Sequence, residues 1–152
     1  RAYAVFTHPR CLNCHPAGDQ PLQGERSVTH AQRVRRGSDG KGLFAARCAA
    51  CHQTSNLSGE HMPPGAPGWH LPPESMKLVF EGRTPGELCR QLKDPKQDGG
   101  KTLAQLHEHV AKDPLVAWGW SPGEGRAKAP GSQAELAAHV KAWIDGGAAC
   151  PD

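Results

Sequence analysis

The chain has 152 residues and a formal net charge of +3, and only 37% of it is hydrophobic, against eighteen glycines and fourteen prolines. That length holds one domain or two small lobes, and so thin a supply of apolar side chains offsets little ordering entropy unless something else fills the core. The weak charge gives no support to nucleic-acid binding, and no apolar run is long enough to span a membrane.

In chain order, residues 2–8 read as a short entry helix cut by Pro9. His30 to Arg36 reads as a helical turn ended by Gly37-Ser38-Asp39-Gly40, and Gly42 to Cys51 as a helix. From Leu57 to Pro73 proline and glycine recur too often for regular structure. Pro73 to Glu81 is predicted helical, with Met76, Val79 and Phe80 on one face. Thr84-Pro85-Gly86-Glu87 combines an N-cap, a proline at the first helical position and a capping-box glutamate, for a helix running to Asp94. Thr102-Leu103-Ala104-Gln105 opens another to about Ala111, and Ser132-Gln133-Ala134-Glu135 opens the last. In that last helix Leu136, Val140, Trp143 and Ile144 form an apolar stripe that stops at Gly146-Gly147. Alternating strand-like runs are absent. The expected fold is mainly α with extensive coil, as one domain over residues 1–152.

The chain carries the same pentapeptide twice, as Cys11-Leu12-Asn13-Cys14-His15 and Cys48-Ala49-Ala50-Cys51-His52. Cys-x-x-Cys-His is the attachment signature of a c-type haem. Cys11, Cys14, Cys48 and Cys51 are the expected thioether positions, with His15 and His52 as proximal iron ligands. Two Cys-x-x-Cys pairs also suit one tetrahedral zinc, but these pairs stand far apart and zinc gives no reason for a histidine after each. A thioredoxin-like dithiol needs a βαβ context that the pattern lacks. The expectation is therefore a small dihaem cytochrome c, in which two haem c groups supply the missing core.

Cys89 and Cys150 remain. Such haems are attached outside the cytoplasm, where thiols oxidise, so a Cys89–Cys150 disulfide is expected, with two separate buried thiols as the alternative. A bacterial periplasmic location follows, and the lack of a visible signal peptide reads as a mature or trimmed form. Ionised haem propionates bring the total charge close to neutral. Arg33, Arg35, Arg36, Lys41 and Arg47 are propionate partners, a face for an acidic partner, or simply solvated surface.

The second axial ligand decides the chemistry, because methionine raises the potential relative to histidine and an open position admits ligands. Single-haem cytochromes c place a loop methionine far downstream of their motif. Here Met62 and Met76 both follow the second motif closely, which argues against two stacked domains of that type. His30 and His70 follow the two motifs at comparable distances and are the expected distal ligands of bis-His haems, with crossing between haems allowed. Met62, stiffened by Pro63-Pro64-Gly65, is the rival at the second haem, and His109 on the helix from Leu103 is a further alternative. Trp69, Trp118, Trp120 and Trp143 are expected to pack on porphyrin faces and edges rather than to stand between haems or at a docking surface.

The expected function is electron transfer with redox protein partners, a donor dehydrogenase and a respiratory acceptor, and no bond chemistry by the chain itself. One alternative is a dihaem peroxidase-like enzyme with an open iron beside His107, Glu108 or His109. The other is a haem-based gas or redox sensor in which a weak ligand such as Met62 is displaced. Trp69-His70-Leu71-Pro72-Pro73, Val79-Phe80-Glu81-Gly82 and Pro114-Leu115-Val116-Ala117-Trp118-Gly119-Trp120 add a resemblance. With the two haem motifs, these stretches resemble small bacterial haem proteins that carry the name isoquinoline 1-oxidoreductase subunit. The resemblance implies electron transfer beside a molybdenum hydroxylase-like dehydrogenase, onward to a respiratory chain.

Overall fold

The computed structural model describes residues 1–152. Ala2–Phe6 forms α1 and Pro9–Leu12 forms α2. His8 caps the second helix, its Nδ1 accepting the Arg10 amide at 3.3 Å, and Pro9 sits where a missing N–H costs nothing. The proline expected to end the entry helix therefore also begins the next.

Two small hairpins follow, neither of them expected. Leu22–Gln23 (β1) pairs antiparallel with Val28–Thr29 (β2), and Gly42–Leu43 (β3) with Ala46–Arg47 (β4). The second hairpin replaces the helix predicted over Gly42 to Cys51. Gly42 adopts φ +91°, and a Cβ there would lie 2.5 Å from the Ala46 carbonyl oxygen, so the chain doubles back where only glycine fits. A 3-10 turn over Cys48–Ala50 is all the helix that remains. The predicted helical turn over His30 to Arg36 is absent too. Arg33 has φ +50°, and the Arg36 amide bonds the Asp19 carbonyl at 2.7 Å instead of a helical partner.

Pro73 to Glu81 holds only a 3-10 turn, Glu74–Met76, in place of the predicted helix. Leu78 lies at φ +47°, and the Gln91 side chain takes both the amide and the carbonyl of Val79, at 3.0 and 2.7 Å. Phe80 donates its amide to the His15 carbonyl at 2.9 Å. Tertiary hydrogen bonds occupy the groups that a helix would have paired.

The remaining helices are Pro85–Leu92 (α3), Leu103–Lys112 (α4), Pro114–Trp118 (α5) and Gln133–Asp145 (α6). Complete capping boxes open α3 at Thr84 and α4 at Thr102, and the Ser132 hydroxyl accepts the Glu135 amide at the start of α6. Helix α5 was not foreseen. Asp113 caps it, its carboxylate accepting the Leu115 amide at 2.7 Å, with Pro114 in the first helical position.

The architecture is thus mainly helical with little sheet. Helices α1, α3, α4 and α6 enclose Val5, Phe6, Leu88, Leu92, Leu106, Val110, Leu136 and Val140, and Phe80 joins them from the loop before α3. Only 28 of 152 residues are buried, so the protein core alone is thin, as the composition implied. Cys89 and Cys150 form a disulfide with Cα atoms 5.5 Å apart, tying α3 to the C-terminal segment. Arg36, 1% exposed, is no solvated surface residue. It donates to the Pro72 and Gly18 carbonyls and so binds two distant loops together. Arg33, Arg35, Lys41 and Arg47 are exposed. No helix is long and apolar enough to cross a membrane.

Candidate functional site

The first pentapeptide begins inside α2 at Cys11, leaves the helix after Leu12 and turns so that His15 points inward. The ring stacks on Phe80 with centroids 3.9 Å apart and planes inclined by 13°. Its Nδ1 lies 2.7 Å from the Leu78 carbonyl oxygen. A carbonyl can only accept, so Nδ1 carries the proton and Nε2 keeps a lone pair. Burial pushes the imidazole down to about 4, so the ring is neutral at ordinary pH. Burial likewise raises the Cys11 thiol to about 12 and the Cys14 thiol to about 11.

The second pentapeptide repeats this arrangement on different scaffolding. His52 follows the Cys48–Ala50 turn, and its Nδ1 lies 2.7 Å from the Pro64 carbonyl oxygen. Its ring stacks on Trp69, centroids 4.6 Å apart and planes within 6°, and burial lowers its pKa. The position of Pro64 depends on its neighbour. The Gly65 amide donates to Asn56 Oδ1 at 3.0 Å, and a Cβ on Gly65 would lie 2.2 Å from the Ser55 carbonyl oxygen. Asn56 also accepts the Trp118 indole N–H at 2.9 Å and donates to the Ser121 carbonyl at 2.8 Å.

The two sites adjoin. Cys48 is near enough to Cys14 to help raise its thiol, though burial dominates. Trp69 stacks on His52 and also lines the cleft that contains Cys11, Cys14 and His15, meeting Trp118 edge-on at 5.1 Å. This cleft is walled mainly by apolar side chains, among them Leu106, Val110 and Val116, with Arg10 and Lys101 as cations and Asp98 and Asp113 as carboxyl groups. A flat, largely apolar group with carboxylate substituents fits such walls.

The candidate distal ligands divide unevenly. His30 stands beside His52, centroids 6.2 Å apart and planes at 63°. His70, Met76 and His109 all line the first motif's cleft, so His70 faces the cleft of the other motif, not the one it follows. The His109 Nδ1 lies 3.1 Å from the Asp113 carboxylate, whose pKa this hydrogen bond lowers. A carboxylate on one ring nitrogen fixes the ring and leaves the other free for a metal. Met62 is 41% exposed, its Cγ beside Gly59, and Arg126 holds its backbone carbonyl.

No group of three or more His, Cys, Asp and Glu side chains converges to hold a metal ion, whereas structural zinc asks for four ligands together. A haem iron asks the chain for two ligands at most, the porphyrin supplying the rest. Leu78, Gly65, Asn56 and Gln91 shape these sites without any signal in the sequence beyond their identities. The two carbonyls contribute through backbone, which no motif records.

Comparison with family models, with curated proteins and with solved structures finds no match to this chain.

Proposed function

We propose that this chain is a dihaem c-type cytochrome that transfers electrons between redox proteins in the bacterial periplasm. One observation carries the reading: in both Cys-x-x-Cys-His motifs the histidine gives its Nδ1 proton to a backbone carbonyl at 2.7 Å, His15 to Leu78 and His52 to Pro64. That bond fixes the tautomer and aims Nε2 as a ligand, the usual outer-shell arrangement for a metal-bound imidazole. A zinc or dithiol reading gives the two histidines no such shared task.

Bound haem supplies one-electron chemistry at iron. The chain's part is attachment through Cys11, Cys14, Cys48 and Cys51, proximal ligation by His15 and His52, and shelter from water. His30 and His70 remain the distal candidates taken from the sequence, with His109 and Met76 in the first cleft and Met62 as the rival near the second. The Cys89–Cys150 disulfide suits an oxidising compartment. A donor dehydrogenase and a respiratory acceptor are the partners proposed.

The test is direct. Protein matured with the cytochrome c assembly machinery should carry two covalent haems by intact mass and by pyridine haemochrome. The fully reduced protein should then leave its visible spectrum unchanged under CO. Absence of covalent haem would refute the reading. CO binding at about half the haem would instead favour the enzyme or sensor alternative, which requires one open or labile iron.

A further inference from the structure

We infer that His30, which belongs to the chain segment of the first motif, is the sixth ligand of the iron carried by the second, opposite His52; the inference rests on the dihaem reading above. Two imidazoles bound to opposite sides of one metal through bonds of about 2.0–2.1 Å have ring centroids roughly 6 Å apart. The His30 and His52 centroids are 6.2 Å apart. Each ring plane then contains the ligand–metal axis, so the angle between rings is free, and 63° is as acceptable as any.

The backbone delivers His30 to this position and holds it there. The β1–β2 hairpin ends at Thr29, the His30 amide donates to the Pro21 carbonyl at 3.0 Å, and its carbonyl accepts the Arg33 amide at 2.8 Å. Its Nδ1 is buried without a hydrogen-bond partner. A buried ring nitrogen left unpaired is costly, and no protein group relieves it here. The rivals lie elsewhere: His70 lines the first motif's cleft, Met62 is 41% exposed, and His61 is exposed, its ring beside Gly125. Ligation across motifs makes the second iron a cross-link between the segment before Gly37 and the segment after Gly40.

Holoprotein with His30→Ala and with His30→Met tests this beside the parent. Both variants should keep two covalent haems by mass. In His30→Ala, ferric electron paramagnetic resonance should lose one equivalent of low-spin haem, and the reduced protein should bind one more equivalent of CO than the parent. Added imidazole should restore the low-spin signal. In His30→Met the haem should stay low-spin at a higher potential. Unchanged low-spin and CO-binding content in His30→Ala would overturn the inference. So would equal loss from both haems without imidazole rescue, which makes His30 a folding residue. No covalent haem in the parent would fail the dihaem reading itself.

Discussion

His15 and His52 are each oriented by one backbone carbonyl, and each carbonyl is held by a residue outside its motif. For His15 that residue is Gln91, 4% exposed, which pairs both polar backbone groups of Val79 and so keeps Leu78 at φ +47°. A leucine in this left-handed region costs on the order of 1–3 kcal/mol, which the surroundings must supply. Gln91→Ala should therefore destabilise the holoprotein by about 1–3 kcal/mol in urea denaturation, because two backbone groups lose their partner. For His52 the holder is Gly65. Gly65→Ala forces a methyl onto the Ser55 and Gln53 carbonyl oxygens, 2.2 and 2.4 Å from where it would sit. The loop must shift, at an expected cost of about 1–3 kcal/mol. The ferric spectrum of the second haem should broaden while the first stays as it was. These holders were invisible in the sequence because one glutamine within a helix and one glycine in a loop carry no pattern. The pentapeptides were fully legible because the covalent attachment proposed for them demands fixed residues at fixed spacing.

At the scale of elements, helix starts were the readable part. Thr84, Thr102 and Ser132 were identified as N-caps, and each accepts the amide three residues on. Thr102→Ala removes the cap from α4, the helix carrying His109, and should lower stability by about 0.5–2 kcal/mol in thermal or urea unfolding. The failed elements have different causes. In residues 73–81 the backbone bonds to distant partners, Val79 to Gln91 and Phe80 to His15, and Leu78 is left-handed. In residues 42–51 the chain closes a local hairpin at Gly42 and leaves Phe44 96% exposed. Periodicity reports which side chains could share a face, not where the backbone finds its partners. Helix α5 was missed for the opposite reason. Asp113-Pro114 is a good start signal, but five residues are too few for a periodic pattern.

Over the whole molecule, a core of 28 buried residues in 152 means that stability depends on cross-links as well as packing. The Cys89–Cys150 disulfide closes a loop of sequence separation 61, which corresponds to about 4 kcal/mol from the restricted unfolded chain. Paired Cys89→Ser and Cys150→Ser replacements should lower the denaturation midpoint accordingly, with the haem spectra unchanged because thioethers play no part in the exchange. The haem-free chain, made without attachment machinery, should show reduced helical circular dichroism and a broad unfolding transition. A sharp transition matching that of the holoprotein would contradict the proposal that haem completes the core.

The sequence by itself determined the two Cys-x-x-Cys-His pentapeptides, the mainly helical character and three helix starts, each of which is written locally. It left Cys89 and Cys150 either paired or as separate thiols, and the structure pairs them. Only the tertiary structure decided that His30 stands beside His52, that His70 faces the first motif's cleft, and that Leu78 and Pro64 present the orienting carbonyls. It also turned Arg36 from an apparent surface charge into a buried clamp between loops. These are relations between residues far apart in the chain. A chain rich in glycine and proline has few long elements to transmit such relations, so they arise only when the whole chain closes on itself.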